Sequence, residues 1–214
     1  MRPRPMIGLG RFHTAPAWSD SLIQRAGSRT DCNKLKAGDR LWDIAEKYYG
    51  NAHYNAVLVL YNKISDPAKL LVSTGIKAPD LKTILEDEGL IPLIGEEMDC
   101  ICAARAGFMN VEGQLSALHK ESGFQKATIP AGLNRELVKA ADLIDKAIRG
   151  LSIRKDGVGK VPHKMIGQLE RASGNLRPRA LGNSDGYGYD IDMVSQNLVR
   201  AFVNGITWAR NGYK

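Results

Sequence analysis

The sequence of 214 residues is poor in aromatic residues and cysteine, and it has no long apolar run. Phe, Trp and Tyr make up 7% of the chain. The three cysteines, Cys32, Cys100 and Cys102, form no CxxC pair, which argues against a disulfide framework or a four-cysteine zinc site. No apolar stretch approaches the roughly 20 residues of a membrane-spanning helix, and the start of the chain lacks the features of a secretory signal. We therefore expect a protein made in a cytoplasm, with no membrane partner.

The residues that are present suffice for a folded core. Apolar residues make up 43% of the chain and charged residues 25%, which excludes disorder of the whole chain and permits one or two domains. Lys and Arg number 30 against 23 Asp and Glu, a net charge of +7. This excess permits an anionic partner. We do not expect nucleic acid, because acidic residues interleave with the basic ones and no recognition motif is present.

Changes in charge along the chain divide it into four segments. Residues 1–30 carry five Arg, one Asp and three Pro, so they are predicted to form an extended basic arm. Residues 31–85 are predicted to form a small domain. Residues 86–112, with seven acidic residues and one Arg, are interpreted as an acidic linker or docking strip. Residues 113–214 are predicted to be a helical C-terminal region, because apolar residues recur there at steps of three and four.

The most informative stretch is residues 35–79. A strand-like piece is followed by a turn at Gly38 and Asp39, by two helices that Gly50 and Asn51 separate, and by a return strand. None of these elements can bury an apolar face alone, so the helices are expected to pack across two paired strands. The predicted fold class is α+β: a small βααβ domain, an extended N-terminal arm and a mainly α-helical C-terminal region.

Several short motifs of this stretch occur in a characteristic order. They are Gly38-Asp39, Leu41-Trp42-Asp43-Ile44-Ala45, Asn62, Asp66-Pro67 and Ile76-Lys77-Ala78-Pro79. In this order they resemble the lysin motif, or LysM, family, which commonly binds N-acetylglucosamine polymers such as peptidoglycan. The resemblance implies a glycan site at Gly38, Asp39, Arg40, Leu41, Ile64, Ser65 and Leu70. The chain departs from the family pattern at Arg40, where Thr or Ser is usual, and at Val72-Ser73, where Pro-Gly is usual.

Residues 40–67 also resemble LysM-like segments of bacteriophage tail and baseplate proteins, in which the small domain packs against other virion subunits. A basic arm, an acidic strip and amphipathic helices suit such an adaptor. We therefore expect a structural virion component of a phage tail, in the baseplate or an adjoining region, which is assembled in the bacterial cytoplasm. Its partners would be other tail proteins. The expected interface residues are Arg2, Arg4, Arg11, Trp42, Tyr48, Tyr49, Tyr54 and Tyr61.

A peptidoglycan-binding or peptidoglycan-lytic protein is the alternative. The sequence ALHKESGF at residues 117–124 is similar to the segment of lytic transglycosylases that contains the general acid, and Glu121 would take that role. Such an acid needs a pKa raised by an apolar cleft. Our first hypothesis is a protein without enzymatic activity, and the lytic enzyme is the second. No metal or other cofactor is expected, because the histidines have no ligand spacing and no nucleotide-binding motif is present.

Overall fold

The computed structural model describes residues 32–36, 38–121, 129–153, 161–177 and 187–212. The strands are β1 (Cys32–Lys34) and β2 (Gly75–Lys77). The helices are α1 (Leu41–Tyr49), α2 (Asn55–Tyr61), α3 (Leu81–Asp87), α4 (Ile91–Glu121), α5 (Ala131–Ile153), α6 (His163–Leu176) and α7 (Tyr187–Arg210). Short 3₁₀ turns lie at Ala52–Tyr54 and Pro67–Lys69. Within these ranges no helix is both long enough and apolar enough to cross a membrane.

The prediction of an α+β, LysM-like fold is wrong, because the described chain is mainly α-helical. The two strands pair antiparallel, with Asn33 opposite Ile76, but each has only three residues. So small a ribbon cannot cover the apolar faces of α1 and α2. Helices cover them instead: Tyr54, at the start of α2, contacts Phe202 of α7, with ring centroids 6.2 Å apart.

Helix α1 forms because its apolar residues recur at steps of three and four. Leu41, Ile44, Ala45 and Tyr49 are buried, and the charged residues between them are exposed. Gly50 ends the helix with φ 73°, in the left-handed region, and its N–H donates to the carbonyl of Glu46. A side chain at Gly50 would also collide with Met109 of α4. The positive φ is the main reason for glycine at this position, because the atom that a side chain would meet is the end of the flexible Met109 side chain.

Residues 86–112 are not a linker, because they contain the end of α3 and most of α4. Helix α4 is kinked at Ile94, where the backbone leaves helical values (φ −133°, ψ 40°). Beyond the kink, Glu96 and Asp99 are exposed on one side. The residues buried on the other side are Met98, Ile101, Ala104 and Phe108. The acidic strip is thus the solvent side of a core helix.

The predicted helices in the C-terminal part are confirmed. Helix α5 buries Leu137, Ala140, Ala141, Ile144, Ala147 and Leu151, and α7 buries Val194, Leu198, Phe202 and Ile206. Helix α5 packs between α4 and α6, and α6 packs against α7. The buried side chains of residues 35–85 belong to the same continuous core as those of these helices. The basic arm, residues 1–30, lies outside the described residues.

Candidate functional site

A charged groove lies between β1 and α1, with a volume of about 310 Å³. Its helical side is one face of α1, because Asp43, Ile44, Lys47 and Tyr48 are spaced by three or four residues. Its other side comes from residues 32–36, which we call the β1 segment because they contain β1 and the two residues after it. Leu35 of this segment points into the core. The groove is lined by Lys34, Lys36, Asp39, Arg40, Asp43, Ile44, Lys47 and Tyr48.

Both carboxylates of the charged groove are held by neighbouring groups. The guanidinium of Arg40 donates to both oxygens of Asp43 at 3.0 Å, and this hydrogen bonding raises the pKa of Arg40 and lowers that of Asp43. Asp39 accepts from the backbone N–H of Lys36 at 2.8 Å. This bond closes the turn in which Gly38 has φ 90°. The charged groove therefore carries a surplus of positive charge.

The three lysines of the charged groove are available to a ligand. The ammonium groups of Lys34, Lys36 and Lys47 form no ion pair with any residue that the structure describes. That of Lys47 lies 5.1 Å from the centroid of the Tyr48 ring, a cation–π contact. An anionic group entering the charged groove would meet these ammonium groups first.

A second groove, the apolar groove, lies between α2 and the end of α7, with a volume of about 440 Å³. Its wall at α7 is fixed by Arg210, whose guanidinium donates to both oxygens of Glu88 and to the carbonyl of Leu60. The apolar groove is lined by Asn55, Ala56, Val59, Leu60, Lys63, Ile64, Pro67, Val203 and Arg210. Its chemistry suits an apolar side chain or helix face of another molecule.

The residues of the predicted glycan site do not all line the same one of these two grooves. Asp39 and Arg40 line the charged groove, whereas Ile64 lines the apolar groove. Leu41 is buried in the core at 6% exposure. The remaining predicted residues, Gly38, Ser65 and Leu70, line neither groove. The predicted set is thus divided between two surfaces of different chemistry.

The predicted interface tyrosines differ in their exposure. Tyr48 and Tyr61 are half-buried, and the hydroxyl of Tyr61 donates to Asp87 at 2.8 Å. Burial, followed by this carboxylate, raises the pKa of Tyr61 to about 12. Tyr49 and Tyr54 are 4% and 2% exposed, so their assignment to a partner-facing surface is wrong. Their rings pack inside the chain because α4 and α7 cover them.

Trp42 and the arm arginines complete the predicted interface. Trp42 is 55% exposed on α1, and its ring centroid lies 6.4 Å from that of His53. Its indole is therefore accessible to a partner. Arg2, Arg4 and Arg11 lie outside the described residues.

A buried polar junction ties α4 to the turn between α1 and α2. Arg105 Nε donates to the hydroxyl of Tyr54 at 2.6 Å, and its guanidinium lies 4.5 Å from that ring's centroid. Another nitrogen of Arg105 donates to the carbonyl of Tyr49, whose own hydroxyl donates to the carbonyl of Pro79 at 2.9 Å. Burial raises the pKa of both tyrosines. These side chains form hydrogen bonds with one another and with nearby backbone carbonyls, so their role is structural.

A second polar contact joins the same turn to α7. His53 Nε2 lies 2.6 Å from Asp192 Oδ1, and Gln196 donates to the other oxygen of Asp192 at 2.6 Å. Asn51 donates to Glu112 at 3.4 Å, and burial raises the pKa of Glu112. No local motif reveals the contacts of His53 and Asn51, because their partners lie 139 and 61 residues away in the chain.

Glu121 does not have the surroundings expected of a general acid. It is the last residue of α4, and its side chain is exposed. An acid with a raised pKa needs an apolar cleft, and the described residues form none around it. The predicted role of Glu121 stays a prediction.

The cysteines of α4 are partly buried thiols. Cys100 and Cys102 are free, and burial raises the pKa of Cys102 to about 11, so it is protonated at neutral pH. Within the described ranges, no three His, Cys, Asp or Glu residues are grouped so that they could hold a metal ion.

Comparisons with protein-family models, curated proteins and solved structures found no match for this chain.

Proposed function

We propose that this chain is a non-enzymatic structural adaptor of a bacteriophage tail, which joins neighbouring virion proteins through its two surface grooves. The observation that supports this most is that the charged groove and the apolar groove share no lining residue. One groove suits a charged partner and the other an apolar one. Two different neighbours could therefore be held at the same time.

The internal polar contacts support a rigid body between these two surfaces. Arg105 ties α4 to the turn before α2, and Arg210 ties the end of α7 to Glu88. Arg177 joins the end of α6 to Asp145 of α5. Because these arginines already have partners, they are engaged in holding helices together. A rigid body of this kind would fix the relative position of two bound neighbours.

Exposed apolar side chains also support a role in protein contacts. Trp42, Leu71 and Val72 are 55%, 76% and 61% exposed. Leu71 and Val72 lie on a turn that is clamped in place: Ser73 N–H donates to the carbonyl of Leu35, and Leu35 N–H donates to the carbonyl of Thr74. Large exposed apolar side chains on a fixed turn are typical of interaction surfaces. The phage-tail setting itself rests on the resemblance of residues 40–67 to tail and baseplate proteins.

Incorporation into phage tails tests this proposal. A tagged copy would be produced in the bacterial host during tail assembly, and purified tails would be probed for it by immunoblot. The variant Ala56→Arg places a long charged side chain in the apolar groove from an exposed position. The matched control is Ala117→Arg, at an exposed position of α4 outside both grooves. We expect tails to contain the wild type and the control but little of Ala56→Arg.

Absence of the wild-type chain from purified tails would contradict the proposal. Circular dichroism of each purified variant shows whether a loss reflects failure to fold. A pull-down on purified sacculi tests the peptidoglycan alternative, with release of soluble muropeptides as a second readout and Glu121→Gln as its control. An adaptor should neither bind nor degrade the sacculi. If the wild type releases muropeptides and Glu121→Gln does not, the protein is a lytic enzyme and not an adaptor.

A further inference from the structure

The charged groove concentrates positive charge that the chain itself does not neutralise. Its two carboxylates are engaged, Asp43 with Arg40 and Asp39 with the backbone of Lys36. The lysine ammonium groups have no such partners among the described residues. A groove in this state attracts an anionic ligand, and its remaining geometry indicates which kind.

The two lysines of the β1 segment have a defined spacing. Leu35, which separates Lys34 from Lys36, is buried, and its backbone N–H and carbonyl bond to Thr74 and Ser73 at 3.0 and 2.8 Å. This pairing keeps the backbone extended, so Lys34 and Lys36 emerge on the same side about 7 Å apart. An extended polypeptide presents every second side chain at this same spacing. The charged groove thus matches a partner segment with acidic residues at alternate positions.

We propose that the charged groove binds an extended acidic segment of a partner polypeptide, whose alternate carboxylates pair with Lys34 and Lys36. This inference rests on the proposed adaptor function and specifies the chemistry of one of the adaptor's partners. Lys47 and Arg40, about 10 Å apart along α1, line the opposite wall. Lys47 adds positive charge along the bound segment, whereas the charge of Arg40 is balanced by Asp43.

The two carboxylates of the charged groove favour a peptide over a nucleic acid. A nucleic-acid strand carries a negative charge on every nucleotide, so some of its phosphates would lie close to Asp39 or Asp43. A peptide carries uncharged residues between its acidic ones, and its backbone N–H groups can donate to these carboxylates. A lining that carries both positive and negative groups therefore suits a peptide in which acidic and uncharged residues alternate.

Fluorescence polarisation with synthetic peptides tests the inference on the full chain. The probe is a labelled ten-residue peptide of alternating Glu and Ser, and the comparison peptide, Glu-Glu-Ser-Ser-Glu-Glu-Ser-Ser-Glu-Ser, has the same composition but no two Glu residues two positions apart. Both carry the same charge, so only spacing differs. We expect the alternating peptide to bind at least fivefold more tightly. Lys34→Glu/Lys36→Glu should weaken its binding more than tenfold, and Lys34→Arg/Lys36→Arg should preserve it.

Lys82→Glu is the matched control, because Lys82 is an exposed lysine of α3 outside the charged groove. It should leave binding within twofold. Equal binding of the two peptides, or an equal loss with Lys82→Glu, would overturn the inference by showing attraction to net charge alone. If an oligothymidylate of ten nucleotides binds more tightly than the alternating peptide, the charged groove prefers a nucleic acid and the inference is overturned. Absence of peptide binding would also overturn the inference, whereas incorporation into tails would still test the adaptor function separately.

Discussion

The side-chain amide of Asn62 forms two hydrogen bonds with the backbone of Lys77. Asn62 Oδ1 accepts from the Lys77 N–H at 2.8 Å, and Nδ2 donates to its carbonyl at 2.8 Å. Nδ2 also donates to the carbonyl of Leu58 at 3.0 Å. Asn62 thus ends α2 and supplies β2 with the backbone partners that another strand would otherwise provide. This explains how so short a strand is held in place.

Replacing Asn62 with Asp should destabilise the protein, because the carboxylate keeps the shape of the side chain but cannot donate. The carbonyl of Lys77 would lose its side-chain donor. The carbonyl of Leu58 would keep only the backbone N–H of Asn62, and both carbonyls would face negative charge. We expect a loss of about 1 to 2 kcal/mol in the free energy of unfolding, measured by urea denaturation. Asn110→Asp, at an exposed position of α4, makes the same chemical change and should stay within about 0.5 kcal/mol of wild type. Equal effects of the two variants would contradict this role of Asn62.

Replacing Ser73 with Gly should stabilise the protein. Ser73 has φ 73°, in the left-handed region, where a side chain costs energy that glycine avoids. The chain therefore carries strain at this turn. We expect a gain of about 0.5 to 1 kcal/mol by urea denaturation. Ser116→Gly, within helix α4, should instead lose about 1 kcal/mol. Destabilisation by both substitutions would show that the backbone at Ser73 is not strained.

Helices with a clear local pattern were predicted correctly, whereas a helix with many acidic residues was not. Steps of three and four predicted α5 and the end of α7, because one face of each helix is mainly apolar and the other mainly polar. Residues 86–112 have the same apolar period at Met98, Ile101, Ala104 and Phe108. Their acidic residues led to the interpretation as a linker. The apolar period of this segment was a stronger indicator of helix than its net charge.

The candidate site could be predicted only in part. Arg40, Asp43 and Lys47 share a face of α1 that helical spacing alone reveals. That this face meets the β1 segment depends on packing. The polar junctions were beyond prediction, because Arg105 and Tyr54 are 51 residues apart and His53 and Asp192 are 139 apart. Asn62 could be recognised as a motif residue, but its bonds to Lys77 could not, because the two residues are 15 apart in the chain.

A double-mutant cycle tests the junction between Arg105 and Tyr54. Arg105→Met leaves the Tyr54 hydroxyl buried without its donor, so we expect a loss of about 2 to 3 kcal/mol in the free energy of unfolding. Tyr54→Phe should cost about 1 to 2 kcal/mol. The double variant should cost at least about 0.5 kcal/mol less than the sum, because each single change already breaks the same bond. Strict additivity would mean that the two side chains do not interact.

Glu112 should make the protein less stable as the pH rises above the acidic range. Its pKa is raised first by burial, and the nearby carboxylate of Glu46 adds to this, while Asn51 opposes it. The folded state therefore binds a proton more tightly than the unfolded state does. The stability that this proton contributes is fully present below the pKa of an unfolded glutamate, about 4.3, and is lost as the pH rises through the folded pKa.

Glu112→Gln tests this dependence, because Gln is neutral at every pH and keeps an oxygen that can accept from Asn51. We expect the variant to be more stable than wild type at pH 7, with the difference shrinking towards pH 4. Urea denaturation of both proteins between pH 4 and pH 8 measures it. A difference that is the same throughout this range would mean that the ionisation of Glu112 is not coupled to folding.

Asn197 of α7 should be a site where an apolar residue stabilises the protein. Its side chain is completely buried, and neither its nitrogen nor its oxygen has a hydrogen-bond partner among the described residues. An unpaired buried amide costs about 1 to 3 kcal/mol, and Asn197→Leu removes this cost at similar volume without breaking any bond. We expect Tm to rise by roughly 2 to 6 °C. Asn197→Asp should lower it, because a carboxylate in the same place would be an unpaired buried charge. A decrease in Tm for Asn197→Leu would mean that the amide has a partner, such as an ordered water molecule, that α7 needs.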